Sequence, residues 1–234
     1  MSEAHVSLGI CAHLYDWDWS GAEREFRRSL ELNPENGMAH SRYAYLLMAM
    51  GRPKEAIREA ETGAELNPLS GWSNFMPGFA LYVARRFDEA MDALKKALEI
   101  DPHFPNAYAI LAFSHVAKND LVQGVAWVEK PTFVGRTTPS LFARGVVYGL
   151  AGRRDDATRM LKELEELTKE HYVSPFFSFS IYAVLGDKDA WRKALWEAYE
   201  ERASSIVLFN VIPWMDPLRS DPVFQEVIRK VGLP

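Results

Sequence analysis

Three pairs ending in proline, Asn33-Pro34, Asn67-Pro68 and Asp101-Pro102, follow one another at intervals of 34 residues. A fixed period of this length means stacked copies of one small unit, because a single such unit cannot bury its own apolar face. The same phase recurs upstream of each proline. Ala22, Ala56 and Ala90 stand twelve residues ahead, and Phe26, Ala60 and Leu94 eight residues ahead. Small residues at 22, 56, 90, 157 and 190 fall near the start of the second helix of a unit, where two helices must approach closely. One helical turn later, Phe26, Leu94 and Leu161 supply the large apolar residue that fills the gap.

Apolar periodicity and turn signals predict helix pairs near 4–15 and 19–32, 36–50 and 53–66, 70–84 and 87–100, 104–118 and 120–129, 138–151 and 154–170, and 175–185 and 188–202. Pro77 falls inside one of these helices, removes a backbone hydrogen bond and predicts a kink. Gly124 replaces the small alanine and Pro131 falls where a helix should continue, so the stack is expected to break over 130–137. After residue 203 the repeat is lost. Ser205-Ile206-Val207-Leu208-Phe209 is a largely apolar run, Pro213 and Pro217 interrupt the next stretch, and Asp221-Pro222 opens an amphipathic helix carrying Val223, Phe224, Val227 and Ile228. The expected organisation is a repeat array over 1–204 and a cap over 205–234 that covers the exposed end of the last pair.

The columns resemble the tetratricopeptide repeat, whose W-x2-L-G-x2-Y, A-x3-F and P positions describe two antiparallel helices and a turn. Leu8-Gly9, Ala22, Phe26 and Pro34 carry the resemblance in the first unit, and Gly78, Leu81, Ala90, Leu94, Ala97 and Pro102 in the third. Gly145, Tyr148, Gly152, Ala157 and Leu161 repeat it in the fifth, and Tyr182, Gly186 and Ala190 in the sixth. The resemblance implies an all-α, right-handed superhelical solenoid of about six antiparallel helix pairs with a C-terminal capping helix. The ending from Asp216 to Pro222 is similar to the close of repeat regions in bacterial multidomain signalling and regulatory proteins. Met1 leads almost directly into the first helical pattern, which suits a module of a longer protein.

Composition narrows the function classes. The chain has 48% hydrophobic and 25% charged residues and a formal charge of -5, with no basic cluster of the kind that binds nucleic acid. Its single cysteine excludes an intrachain disulfide, and no apolar run is long enough to span a bilayer. With no signal-peptide pattern either, a cytoplasmic location is expected. His5, Cys11 and His13 lack a metal-ligand spacing, and the other histidines are scattered over different units. Asp16 and Asp18 flank Trp17 in a turn, where acids cap the next helix, while Glu163, Glu165, Glu166 and Glu170 read as a solvated helix face. No phosphate-binding glycine loop or nucleophile elbow is present, so neither catalysis, a metal nor a cofactor is expected.

In the tetratricopeptide pattern, positions two, five, nine and twelve of each first helix face the concave side. The resemblance therefore selects Met38, Ser41, Tyr45 and Met48, then Trp72, Phe75, Phe79 and Tyr82, then Asn106, Ala109, Phe113 and Val116, with Phe142 and Val146 completing the set. Val6, Ile10, Tyr45, Trp72 and Met76 occupy the places where carboxylate-clamping relatives carry basic residues and asparagine, which argues against a clamp. Tyr45, Trp72, Phe75, Phe79, Tyr82, Phe113 and Phe142 are the candidate peptide-binding residues, since aromatic side chains anchor interfaces through large buried area. The implied function is a non-catalytic scaffold that takes an apolar or aromatic peptide segment of a partner protein in its groove. Two alternatives are a homo-oligomerisation module and a sensor of a small apolar ligand.

Overall fold

Short polar side chains start many of the helices by taking up a free backbone N–H. Asp18 accepts from Gly21, Asn36 from Ala39, Ser70 from Ser73, Asp120 from Gln123, Asp187 from Ala190 and Asp221 from Val223. The computed structural model describes residues 1–233. In chain order the helices are α1 (Ser2–Cys11), α2 (Trp19–Leu32), α3 (Gly37–Ala49), α4 (Pro53–Leu66), α5 (Gly71–Val83), α6 (Phe87–Ile100) and α7 (Pro105–Ala117). They continue as α8 (Leu121–Val128), α9 (Thr138–Leu150), α10 (Arg154–Leu167), α11 (Pro175–Leu185), α12 (Lys188–Glu200) and α13 (Pro222–Val231). A π turn over Ala12–Asp16 extends α1, and two 3-10 segments, Ser204–Leu208 and Pro213–Leu218, separate α12 from α13.

Successive helices pair as α1 with α2, α3 with α4, and so on to α11 with α12, and each pair packs on the next. The result is an all-α solenoid. Two kinds of turn repeat with the sequence period. Within a pair the chain reverses through a left-handed residue at Gly51, Arg85, Asn119, Gly152 and Gly186. Between pairs, the N–H groups of Asn36, Ser70 and Phe104 donate to the carbonyls of Asn33, Asn67 and Asp101, at 3.2, 3.1 and 3.2 Å. The prolines next to those carbonyl residues cannot extend the preceding helix, so the turn stays in register.

Close helix contact explains the small residues. Ala22, Ala56, Ala90 and Ala157 have no exposed surface. A methyl group added at Gly78 would stand 2.5 Å from Leu94 Cγ, and one at Gly9 would stand 2.9 Å from the Phe26 ring. Pro77 does not end α5, which continues as one helix through Val83. Between Val128 and Thr138 the chain is irregular, yet Phe133 stacks on Tyr108 at 5.6 Å and Thr132 donates to the Tyr108 hydroxyl at 2.9 Å. Both α7 and α8 pack on α9, which carries the stack across the interruption.

The segment expected to cap the last pair divides its contacts. Helix α13 packs on α12, whereas the two 3-10 segments turn inward and meet the π turn, α3 and α7. The two ends of the solenoid therefore touch. Trp17 stacks on Tyr199 at 5.5 Å, Arg202 donates to the Tyr15 carbonyl at 2.6 Å, and the Trp19 indole donates to the Val231 carbonyl at 3.2 Å.

Adjacent units are also tied by an acid. Glu23 on α2 accepts from Arg52, which precedes α4, from Tyr43 on α3 and from Arg27 on its own helix, each at 2.8 Å. Burial opposes ionisation, but these donors outweigh it and hold the Glu23 carboxyl down to about 2. A depressed carboxylate adds stability that is complete above its ordinary value and lost as pH falls through the folded value. Stability should therefore drop between about pH 4.5 and pH 2. Glu23→Gln should flatten that part of a denaturation-versus-pH series by about 1–2 kcal/mol after solvent screening; an unaltered acid limb in urea melts contradicts the assignment.

Candidate functional site

The first helices of successive pairs, α3, α5, α7, α9 and α11, lie side by side and turn one face of each toward the inside of the curve. Helical period places aromatic residues on those faces, and they form two groups of ring contacts. Tyr45 meets Trp72 at 5.9 Å and Phe79 at 6.3 Å, and Phe75 stacks on Phe79 at 5.2 Å. Phe113 meets Phe142 at 5.9 Å, and Phe142 meets Phe176 at 5.2 Å. Tyr45, Trp72, Phe75, Phe79, Tyr82, Phe113 and Phe142, the seven candidate residues from the sequence, all line one cavity of about 200 Å3.

The opposite wall of that cavity is the chain itself. Ser205, Leu208, Phe209, Ile212, Trp214 and Met215 come from the irregular stretch between α12 and α13. Ile206, Val207 and Phe209 have no exposed surface, and Met215 almost none. Phe209 stacks on Phe179 at 5.1 Å and meets Phe176 at 5.6 Å, while Trp214 meets Phe113 at 6.4 Å. As a result Phe75, Phe79, Tyr82 and Phe113 are buried, not solvent-facing, and Tyr45, Trp72 and Phe142 are half-buried. The terminal segment and Phe176 are not among the sequence candidates. The apolar character of 205–209 is visible in the sequence, but two prolines and the lack of a helical period hide its destination.

A polar clasp holds the segment at one edge. Arg85 makes two contacts to the Asp216 carboxylate, at 2.7 and 2.8 Å, and Arg219 adds a third at 2.7 Å. Arg85 is one of the left-handed residues with a side chain, at φ 62°, where the equivalent positions 51, 152 and 186 are glycine. Arginine accepts the strain of that conformation and in return reaches the segment.

Burial dominates the electrostatics around the cavity. It pushes the Tyr45 phenol up to about 12 and the Tyr82 phenol well above its ordinary value. Burial and the nearby Arg42 guanidinium lower His13 to about 3, so it is neutral, wedged between Trp19 at 5.6 Å and Tyr45 at 5.4 Å. Arg42 lies over the Trp72 ring at 4.5 Å. The indole N–H of Trp72 and the hydroxyl of Tyr82 are buried without a hydrogen-bond partner; the Trp214 backbone lies near that hydroxyl but outside hydrogen-bond geometry.

Other sequence candidates fall into place around this core. Asn106 and Ala109 join the cavity lining, Met38 is exposed, and Ser41, Met48 and Val146 are fully buried. Ser41 donates to the Gly37 carbonyl and to Ser73, a structural role. His5 bonds Glu25 at 2.6 Å, and Cys11 is exposed. Among the described residues no group of three or more His, Cys, Asp or Glu is gathered as metal ligands, and no helix is long and apolar enough to cross a membrane.

Models of the tetratricopeptide repeat match residues 16–74 and 84–104. The small glutamine-rich tetratricopeptide repeat-containing protein 2 of Mycosarcoma maydis is 29% identical over 85 residues, which is 36% of this chain and 24% of that protein. Among solved structures, a thermophilic tetratricopeptide repeat protein of Thermus thermophilus is similar with a TM-score of 0.66 and 16% identity, covering 79% of this chain and 99% of that one. PilF of Pseudomonas aeruginosa is similar over 98% of this chain and 97% of its own, with a TM-score of 0.58 and 15% identity. At these identities the structural likeness is one of fold. This chain spans a quarter or less of the length of the curated relatives it matches.

Because Phe79 is buried in the cavity wall, Phe79→Ala should cost about 3–5 kcal/mol in a urea melt. Tyr82→Phe should instead stabilise the chain by about 1 kcal/mol, since it removes a hydroxyl buried without a partner. A loss of stability in Tyr82→Phe would mean that the hydroxyl is bonded in solution.

Proposed function

This chain is a tetratricopeptide repeat protein, and from that premise we propose that it is a non-catalytic interaction scaffold whose concave groove holds an apolar, aromatic peptide segment ending in an acid. That such arrays are protein-interaction scaffolds is a property of the family; the choice of ligand is particular to this groove. One observation carries it. The groove already accommodates a peptide of that chemistry, the chain's own residues 204–218, as two short 3-10 segments.

The resident segment defines what a competing segment must offer. Leu208, Phe209 and Ile212 supply apolar side chains, Trp214 and Met215 a second cluster, and Asp216 a carboxylate for Arg85. A partner with this pattern exchanges with the resident segment, and Tyr45, Trp72, Phe75, Phe79, Tyr82, Phe113 and Phe142 then contact the partner. The aromatic wall supplies affinity and the Arg85 clasp sets direction along the groove. A partner's affinity is lowered by the fraction of time the groove is occupied by its own tail.

The test is a fluorescent synthetic peptide of residues 204–218 added to the full chain and to Asp216→Asn. The variant weakens the resident segment's hold and leaves Arg85 for the carboxylate of the added peptide. An exposed ion pair is worth up to about 1 kcal/mol, so the peptide should bind the variant about 3–5-fold more tightly than the wild type, with a scrambled peptide not binding. Absence of saturable binding to both forms, with helical circular dichroism intact, overturns the groove as a peptide site.

A further inference from the structure

We propose that the cavity between the concave wall and residues 204–218 binds a small neutral molecule, a planar aromatic of one or two fused rings that carries one hydrogen-bond acceptor. The volume is the first reason. A half-open pocket of about 200 Å3 lies between the concave wall and residues 205–215. A cavity of about 150 Å3 lined by apolar side chains stays dry and takes up benzene. The space here suits a ring system somewhat larger.

Lining chemistry narrows the ligand. Ten of the seventeen lining residues are aromatic and none is charged, so an ion would lose its hydration with nothing to replace it. Aromatic walls favour flat rings through stacked and edge contacts. The polar residues of the lining, Asn106 and Ser205, offer donors that a ligand acceptor can meet. Pocket sites of this kind combine a largely apolar lining with few polar groups that fix orientation.

The location sets the consequence. The ligand touches both the wall, through Phe79 and Phe113, and the resident segment, through Leu208 and Trp214. It binds only while the segment is in place, and so holds the segment in the groove. A small molecule would in this way oppose entry of a partner peptide, by preferring one of two states. This site exists in the chain with its own tail bound, so it does not depend on the peptide-binding function.

Quinoline, which has an acceptor, and naphthalene, which has none, are the probes for the full chain. Binding is read by fluorescence of the tryptophans, among which Trp72 and Trp214 line the cavity, by saturation-transfer NMR, and by thermal melting. Quinoline at ten times its dissociation constant should raise Tm by about 3–6 °C, and it should bind several-fold more tightly than naphthalene. Asn106→Ala should narrow that preference. Ala109→Leu and Ser205→Leu, on opposite walls, should each fill the space and abolish the shift, and naphthalene-2-carboxylate should not bind. No transfer signal and no Tm shift with either probe up to its solubility limit overturns the proposal, as does binding unchanged in both filled variants. A failed peptide assay alongside quinoline binding would remove the groove function and leave this site standing; the reverse result would do the opposite.

Discussion

Two apolar surfaces that cannot remain in water, and that bury each other, organise this molecule. The inner face of the solenoid is a run of aromatic rings from Tyr45 to Phe176, too large a contiguous apolar patch for an exposed groove. Residues 206–215 are as apolar but have no helical period, so they cannot bury themselves as an amphipathic helix on the outside. Placing the second surface in the first resolves both. The exposed Arg85–Asp216 pair orients this contact but contributes little to its strength. Ordering a stretch of backbone that lacks continuous helix costs conformational entropy and offsets much of the burial. That near-balance is what makes exchange with another segment physically reasonable.

The same contact changes the mechanics of the array. A solenoid in general joins each unit only to its neighbours and can open from either end. Here the tail reaches the π turn, α3 and α7, and Trp17 and Trp19 of the first pair close on Tyr199 and Val231. Units distant in sequence are thereby coupled, and part of that coupling, through Tyr199, Arg202 and Val231, lies outside residues 204–218.

Much of the architecture was legible from a spacing. The 34-residue period located the helix pairs, because an X-Pro turn and a small residue at a close helix contact are each demanded by local geometry. Helical period also brought the seven aromatic candidates to one cavity, since positions two, five, nine and twelve share a face whatever lies opposite. The opposing wall was not legible. Leu208, Phe209 and Trp214 sit in 3-10 turns broken by Pro213 and Pro217, and such turns leave no periodic trace. Arg85 was also missed, because its left-handed turn normally signals itself by glycine, and here the signal was replaced by the side chain that clasps Asp216. At Pro77 the helix assignment of α5 is unbroken, and α5 packs on both α6 and α7.

Native-state hydrogen exchange tests most directly whether the tail is a displaceable occupant of the groove. The amides of Phe209, Ile212 and Met215 donate to Ile206, Leu208 and Ile212 respectively, so they report on the segment itself. If the segment leaves as a unit, these amides exchange together, with an opening free energy well below that of amides in α3, α5 and α7. Exchange at the same free energy and with the same denaturant dependence as those helices would contradict it, and would make residues 204–218 an inseparable part of the core.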